Sequence, residues 1–397
     1  MAAQPSPKKV HLSFRSIWFD PNIRALVFQV LAIIFVVCFF YDIILNAIHN
    51  LDSRGIKTGF EFLSQRAGFG IIQSLIPYTE DSSYGRTFLV GLCNTLLVSI
   101  LGIILSTIIG FLVGVARLSQ NWVVAKLSAI YVDILRNTPL LLQIFFWYNA
   151  VLSPLPTPRH SAHISDLIFL NNRGLYIPSP IFHSGSQWIV AAFLIVITIT
   201  FWMRRWANKK QLKTGKTFPV FWISIALIIF LPLFTFWIFG APISFDIPQL
   251  RGFNFRGGWV IIPELTALLL SLSLYASAFI AEIVRSGIEA INKGQSEAAH
   301  SLGLSKGQTL RLVIIPQAMR VIIPPLTSEY LNLTKNSSLA TAIGYPELVS
   351  VFMGTTLNQT GQAIEVIAMT MAVYLVISLV TSFVMNIYNR KVALVER

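Results

Sequence analysis

The chain has 397 residues, of which 54% are hydrophobic and only 12% are charged, and its formal net charge is +13. Roughly a quarter of the residues in an average soluble domain are charged, so this composition excludes an ordinary soluble protein. Three long stretches, residues 88–116, 218–245 and 366–389, contain no charged residue. About 20 apolar residues cross a bilayer as a helix, whereas the strands of a membrane barrel are short and alternate in polarity. The sequence therefore predicts a helical protein with several membrane spans.

Membrane topology explains the excess of positive charge. Basic residues collect at the cytoplasmic ends of membrane spans, so membrane lipid is an expected partner and nucleic acid is not. Cys38 and Cys93 both lie in apolar stretches. They are expected to be small buried side chains rather than a disulfide or a thiolate metal site.

Residues 1–86 are predicted to contain a cytoplasmic N-terminus, a first span and a long outer loop. The segment 1–24 is basic, and residues 25–41 are apolar and free of charge. No small-residue cleavage site follows, so this stretch is expected to be a retained span and not a signal peptide. The loop 47–86 carries charges of both signs, as is typical of the outer side of the membrane.

The second and third spans are predicted at about 87–115 and 127–152. In the second, Gly110 and Gly114 have the spacing that lets two membrane helices approach closely. In the third, Pro139 interrupts the backbone hydrogen bonding of a helix, which predicts a kink at that point.

The region 153–262 contains two more predicted spans, at about 187–203 and 218–239. The outer loops on either side of the pair are rich in proline and glycine, which excludes regular helix there. A basic cluster follows the first span of the pair and is the strongest indication of the cytoplasmic side. It consists of Arg204, Arg205, Lys209, Lys210, Lys213 and Lys216.

Two patterns in this region resemble cofactor sites, and neither is complete. Residues 215–217 read Gly-Lys-Thr, like the end of a nucleotide-binding P-loop, but the pattern requires glycine where Lys210 stands. The chain is therefore not expected to bind ATP itself. His160, His163 and His183 lie in an outer loop among prolines and without a nearby cysteine, so they are expected to be solvated rather than metal ligands.

Three further spans are predicted at about 263–283, 317–345 and 364–388, followed by a short tail at 391–397. Eight spans place both chain ends on the cytoplasmic side, in agreement with each cluster of basic residues. The predicted fold is therefore all-α, a polytopic membrane protein with about eight transmembrane helices.

The loop 288–316, between the sixth and seventh spans, is predicted to be cytoplasmic and to form two short helices. Gly303 suits the left-handed position that ends a helix. Residues 305–308, Ser-Lys-Gly-Gln, match a capping box that starts the next one. Ala299 and Leu302 are predicted to share one face of the first helix, and an apolar stripe is predicted from Leu310 onward in the second.

The same loop resembles the EAA loop of binding-protein-dependent ABC importer permeases, in which Glu-Ala-Ala, three residues, glycine and nine residues precede Ile-x-Leu-Pro. The residues in register are Glu297, Ala298, Ala299, Gly303 and Pro316. The resemblance implies that the loop inserts into a groove on a cytoplasmic ATPase. ATP would be bound and hydrolysed by that partner, and this chain would be a non-catalytic subunit with no cofactor of its own.

Residues 91–96, 135–140 and 333–339 resemble permeases for polar amino acids of the histidine and glutamine group, and residues 354–362 resemble general L-amino-acid permeases. The resemblance implies a type-1 ABC importer (MetI-like) core at 87–390, interrupted by the inserted region 153–262. It also implies a bacterial inner-membrane location, with 47–86 in a periplasmic loop. The implied partners are a second, related permease subunit, an ATPase dimer and a periplasmic amino-acid-binding protein.

Polar side chains in the seventh span are candidates for contact with a zwitterionic substrate. Charged groups at membrane depth are expensive unless they face a cavity or a partner. The candidates are Glu329, Asn332, Lys335, Asn336, Ser337 and Ser338. The alternative for Glu329 and Lys335 is that they pair with neighbouring helices and hold a subunit interface.

A stand-alone secondary amino-acid transporter is the main alternative function. Such a transporter needs no cytoplasmic docking loop and often shows internal repeats, and no strong repeat is found in this chain. A membrane-bound enzyme is not expected, because the sequence contains neither a nucleophile elbow nor an HExxH zinc motif.

Overall fold

The computed structural model describes residues 21–53, 55, 58–215 and 217–392. Within this part of the chain, seven helices are long and apolar enough to cross a membrane, or eight if a bent pair counts as one span. The prediction of a helical, polytopic protein with about eight spans is therefore confirmed. The predicted cytoplasmic positions of residues 1–20 and 393–397, and Lys216 of the basic cluster, lie outside the described residues.

The helices follow the predicted order, and several extend beyond the predicted limits because their polar ends continue past the apolar stretch. The α-helices of the described chain are α1 (Pro21–Ser53), α2 (Tyr84–Ala116), α3 (Trp122–Asn137), α4 (Leu140–Phe145, continued by the π-helical turn Phe146–Leu152), α5 (Ser186–Thr214), α6 (Val220–Ile238), α7 (Pro263–Glu289), α8 (Lys293–Ser301), α9 (Lys306–Thr309, continued by the π-helical turn Leu310–Ile314), α10 (Ile315–Asn336, continued by the 3-10 turn Ser337–Ile343), α11 (Leu357–Thr360, preceded by the π-helical segment Val349–Thr356) and α12 (Ala363–Val392).

The third predicted span is broken rather than gently kinked. Helices α3 and α4 meet at an angle of 104°, with Thr138 in an extended conformation and Pro139 starting α4. Gln143 Nε2 donates to the carbonyls of Leu135 and Thr138, at 2.9 and 3.0 Å. This side chain replaces backbone hydrogen bonds that the break removes, so the break is stable at its depth in the bundle.

Short strands form in the loops on both sides of the α5–α6 pair, where the sequence predicted only irregular loops. The strands are β1 (Ala162–Ile164), β2 (Ile168–Asn171), β3 (Gly174–Ile177), β4 (Ser179–Phe182), β5 (Ile243–Asp246), β6 (Gln249–Arg251), β7 (Asn254–Arg256) and β8 (Trp259–Ile261). β1, β2, β3 and β8 form an antiparallel sheet in that order, and β4–β5 and β6–β7 form two separate ladders. β4 and β5 close the loop at the base of α5–α6, with Phe182 opposite Ile243.

Helix α7 lies at the centre of the bundle and packs closely against α2. A side chain at Gly110 would place its Cβ 2.6 Å from the Cβ of Ile280, and one at Gly114 would lie 2.8 Å from the carbonyl oxygen of Ala281. The prediction that this glycine pair mediates close helix packing is confirmed.

Helices α1, α5 and α6 stand apart from this bundle. Among the described residues, the clusters of buried hydrophobic side chains draw on α2–α4 and on the chain from α7 onward, together with residues of the loop before α2. Helix α5 packs against α6, the next helix in the chain. The buried residues of α5 are Ala192, Val196 and Ala207. Cys38 is exposed on α1 and Cys93 is half-buried, so the expectation that both are buried was wrong.

Candidate functional site

The predicted cytoplasmic loop forms a short helix, a left-handed turn and a second helix. Asn292 caps α8, because its Oδ1 accepts from the amide of Gly294 at 2.8 Å. Gly303 ends the helix with φ +78°, and the amide of Leu304 donates back to the carbonyl of Ala299 at 3.1 Å. Both halves of the capping box between Ser305 and Gln308 are present. The predicted stop and start signals are therefore confirmed.

The second helix differs from the prediction of a separate short element. Helix α9 continues through the π-helical turn Leu310–Ile314 into α10, so the chain is helical from Lys306 to the end of the seventh span. Pro316 lies in the first turn of α10. It follows closely on the π-helical turn, so the amide that proline lacks falls where the regular backbone hydrogen bonding is already altered, and the helix continues through it.

The motif residues of α8 divide between two faces. Gly294, Glu297, Ala298 and Ser301 are exposed, and their spacing places them together on the outer side of α8. Ala299 is buried against the rest of the chain, whereas Leu302 is 82% exposed. The expectation that Ala299 and Leu302 share one face was wrong, because the helix ends at Ser301 and the chain turns away. Of the two motif alanines, only Ala298 is available to a partner.

Behind α8 lies a cavity of about 910 Å³, bounded by the turn between α2 and α3. Lys306 crosses to that turn and donates from Nζ to Oε1 of Gln120 at 3.1 Å. His300 and Ser296 line the cavity on the loop side. The loop therefore has two sides, with α8 exposed outward and the cavity against the bundle.

Glu282 forms the centre of an ion-pair cluster near the end of the bundle from which the loop projects. Its carboxylate contacts the guanidinium groups of Arg117 and Arg285, the latter at 2.5 Å, and Arg136 lies 4.0 Å away. Arg285 also contacts Glu289. The reach between Glu282 and Arg285 across one turn could be read from their spacing. The contact between Glu282 and Arg117 could not be predicted from spacing, because the two residues are 165 positions apart.

The six predicted substrate residues do not form one site. Glu329, Asn332 and Asn336 line a cavity of about 130 Å³ with aromatic and apolar side chains of α7. Lys335 and Ser338 line a different cavity, of about 390 Å³, against α12. Ser337 is fully buried and donates its hydroxyl to the carbonyl of Thr334. The 3.6-residue period separates these positions around the helix.

Glu347 is a buried polar residue that was not predicted from the sequence. Its side chain is fully buried, and its carboxylate accepts from the amides of Val349 and Ser350 at 2.8 and 2.7 Å and from the hydroxyls of Thr341 and Tyr374 at 3.0 and 3.1 Å. Four donors satisfy a buried carboxylate. A polar residue directly after Gly-Tyr-Pro, in the stretch between the last two spans, was the signal available in the sequence.

Comparison with known proteins places these features in a family. Residues 212–394 match the family of binding-protein-dependent transport system inner membrane components. The chain is 56% identical to YhdX of Escherichia coli, which is named as an amino-acid ABC transporter permease, over the full length of both proteins.

Two further relatives extend the comparison. The chain is 52% identical to the general L-amino acid transport system permease AapQ of Rhizobium johnstonii, over 97% of this chain and 96% of that protein. It is 41% identical to BztB of Rhodobacter capsulatus, a glutamate/glutamine/aspartate/asparagine transport system permease, over the full length of both. The chain therefore belongs to the amino-acid permeases of binding-protein-dependent ABC transport systems and is a multi-pass protein of the inner membrane.

Proposed function

We propose that this permease moves L-amino acids into the cell and that the loop 288–316 couples it to a cytoplasmic ATPase. The observation that carries the proposal is the outer face of α8. Glu297 and Ala298 are exposed there, and Gly303 ends the helix in a conformation that other residues adopt only with strain. A short, exposed helix with a fixed end can insert into a groove on a partner protein.

The continuity between the loop and the seventh span supplies a route for coupling. Because α9 and α10 form one helical rod from Lys306 onward, a displacement of the loop moves α10 as well. Ala318 and Ile322 of α10 are buried in one cluster with Ile280 and Val284 of α7. A push on α8 would therefore be transmitted to the interface between α7 and α10, which holds Glu329.

We propose that the substrate binds in the cavity that Glu329, Asn332 and Asn336 line. Carboxylate and amide oxygens accept from an ammonium group, and amide N–H groups donate to a carboxylate. The cavity of about 130 Å³ is smaller than the roughly 300–1,000 Å³ of usual ligand pockets. This small volume is expected of a site that is completed by a second membrane subunit or by a different conformation of this chain.

The proposed assembly contains this chain, a second and related permease, two ATPase copies and a periplasmic amino-acid-binding protein. The family description and the names of the relatives support the last of these. Both chain ends are proposed to be cytoplasmic, since the basic end of α5 and Arg390 near the end of α12 then lie on the same side as the loop.

Co-purification with the ATPase tests the coupling proposal. Ala298→Asp puts a charge on the outer face of α8, and we expect it to reduce recovery of the ATPase by about tenfold or more, equivalent to at least ~1.4 kcal/mol of binding free energy. Ala241→Asp is the matched control, because Ala241 is also exposed and lies in the outer loop after α6. Equal recovery from both variants would contradict the proposal. Uptake that persists without any ATPase would instead favour a stand-alone secondary transporter.

A further inference from the structure

The end of helix α5 carries a concentrated positive charge that neither the proposed substrate site nor the proposed coupling loop uses. Five described residues contribute to it, and they are Arg204, Arg205, Lys209, Lys210 and Lys213. Neither α5 nor α6 contains an acidic residue. None of the ion pairs found in the described part of the chain includes a member of this cluster.

An open apolar groove lies next to the cluster. Its volume is about 570 Å³, and its walls are Thr198, Ile199, Trp202, Met203, Trp206 and Phe218. Trp202 is 65% exposed and Trp206 is 50% exposed. The described part of the chain therefore leaves this groove uncovered at the end of the apolar segment of α5.

Helical periodicity places three of the lysines directly beyond the groove. Lys209, Lys210 and Lys213 follow Trp206 by three, four and seven residues, so they lie on the same face of α5. Lys213 is about 10 Å further along the helix axis. Lys210 Nζ lies 4.7 Å from the centre of the Trp206 ring, so the cation and the wall of the groove are in contact. Arg204, two residues before Trp206, lies on another face.

We propose that this face of α5 binds one anionic phospholipid, with an acyl chain in the groove and the phosphate among Lys209, Lys210 and Lys213. The groove belongs to the apolar part of a membrane span, and the lysines belong to its polar end, where headgroups lie. A ligand with an apolar tail and a negative head matches both features at the observed separation. Orientation in the membrane explains basic residues at the end of a span, but it does not explain an open apolar groove aligned with them.

Lipid titration of the assembled, delipidated transporter tests the proposal, with bound lipid counted by native mass spectrometry. We expect phosphatidylglycerol to bind at least about tenfold more tightly than phosphatidylcholine with the same acyl chains, because each lysine beside an anionic group contributes severalfold to affinity. The variant K209Q/K210Q/K213Q is expected to lose this preference. Thr198→Trp, which fills the groove and keeps every lysine, is expected to weaken phosphatidylglycerol binding as well.

The matched control is K8Q/K9Q/R204Q, which removes the same number of positive charges, two from residues 1–20 and one from another face of α5, and is expected to retain the preference. Four results would overturn the proposal. They are equal binding of the two lipids by the unmodified protein, equal loss in the lysine variant and the control, no effect of Thr198→Trp, and equally tight binding of soluble glycerol phosphate. The last result would show that the cluster binds phosphate without using the groove.

Discussion

At the residue scale, Glu329 is the strongest candidate for a contact with the substrate. Among the described residues, no hydrogen bond or ion pair is found for its carboxylate, although it faces a cavity beside Asn332 and Asn336. A carboxylate at membrane depth usually faces a partner or a water-filled path. The partner is expected to be the ammonium group of the transported amino acid.

Substitution of Glu329 tests that role. Glu329→Gln is expected to lower amino-acid uptake by about tenfold, which corresponds to the loss of one charge-assisted contact, and to leave co-purification with the ATPase unchanged. Lys335→Met is the comparison, because Lys335 lies on the same helix but lines the other cavity, and its effect on uptake is expected to be smaller. Uptake assays that gave the opposite ranking would move substrate contact to the cavity against α12.

How far single residues could be predicted depended on the distance between interacting partners in the sequence. Gly303 and the Ser305–Gln308 capping box were predicted correctly because their hydrogen bonds join residues at most a few positions apart. The contact of Arg117 with Glu282 depends on packing between distant helices, and so does the hydroxyl that Tyr374 donates to Glu347, whereas the other three donors to that carboxylate are local. No local pattern in the sequence specifies which charged residues from distant helices will form an ion pair.

At the element scale, the close contact between α2 and α7 holds the bundle together. Gly110→Ala would place a methyl group 2.6 Å from Cβ of Ile280 and 3.0 Å from the carbonyl of Ser277. Neither atom can move unless the helices separate, so we expect a loss of about 1–3 kcal/mol in stability. The loss is measured as a lower thermal unfolding temperature of the purified transporter.

Gly102→Ala is the matched control for this contact. Its added methyl group would meet the end of the Leu333 side chain, at 3.1 Å, and a leucine can change rotamer to make room. Replacement of glycine within a helix also favours folding by up to about 1 kcal/mol, so little net change is expected. If the two variants had equal unfolding temperatures, close packing at Gly110 would not limit the stability of the bundle.

The short strands show what the sequence pattern could not predict at this scale. The strands have only three or four residues each, which is too short for a clear alternation of polar and apolar positions. β3 pairs with β8 and β4 pairs with β5 across the whole α5–α6 pair. The membrane helices were predictable because about 20 apolar residues are enough to identify each one. The β3–β8 and β4–β5 pairs join residues that lie 61 to 86 positions apart, whereas the other three pairs join strands that are close in sequence.

At the scale of the whole molecule, the α5–α6 pair is separable from the bundle. The ends of the pair meet in the β4–β5 ladder, where the amide of His183 donates to the carbonyl of Pro242 at 2.9 Å. None of the core clusters of the described chain includes a residue of the pair. A two-residue Asn-Gly turn can close such a ladder.

We therefore expect that replacing residues 184–241 with Asn-Gly preserves the permease core. The variant should still co-purify with the ATPase, and its unfolding temperature should lie within about 3 °C of the unmodified protein, a difference of ~1 kcal/mol. Deletion of α6 alone is the control, because the loss of one span inverts the orientation of every later helix and moves the loop 288–316 to the opposite side of the membrane. Loss of assembly in the first variant would show that α5 and α6 form part of a subunit interface. Survival of both variants would contradict the assigned topology, since only an even number of spans can be removed without displacing α8 from the cytoplasm.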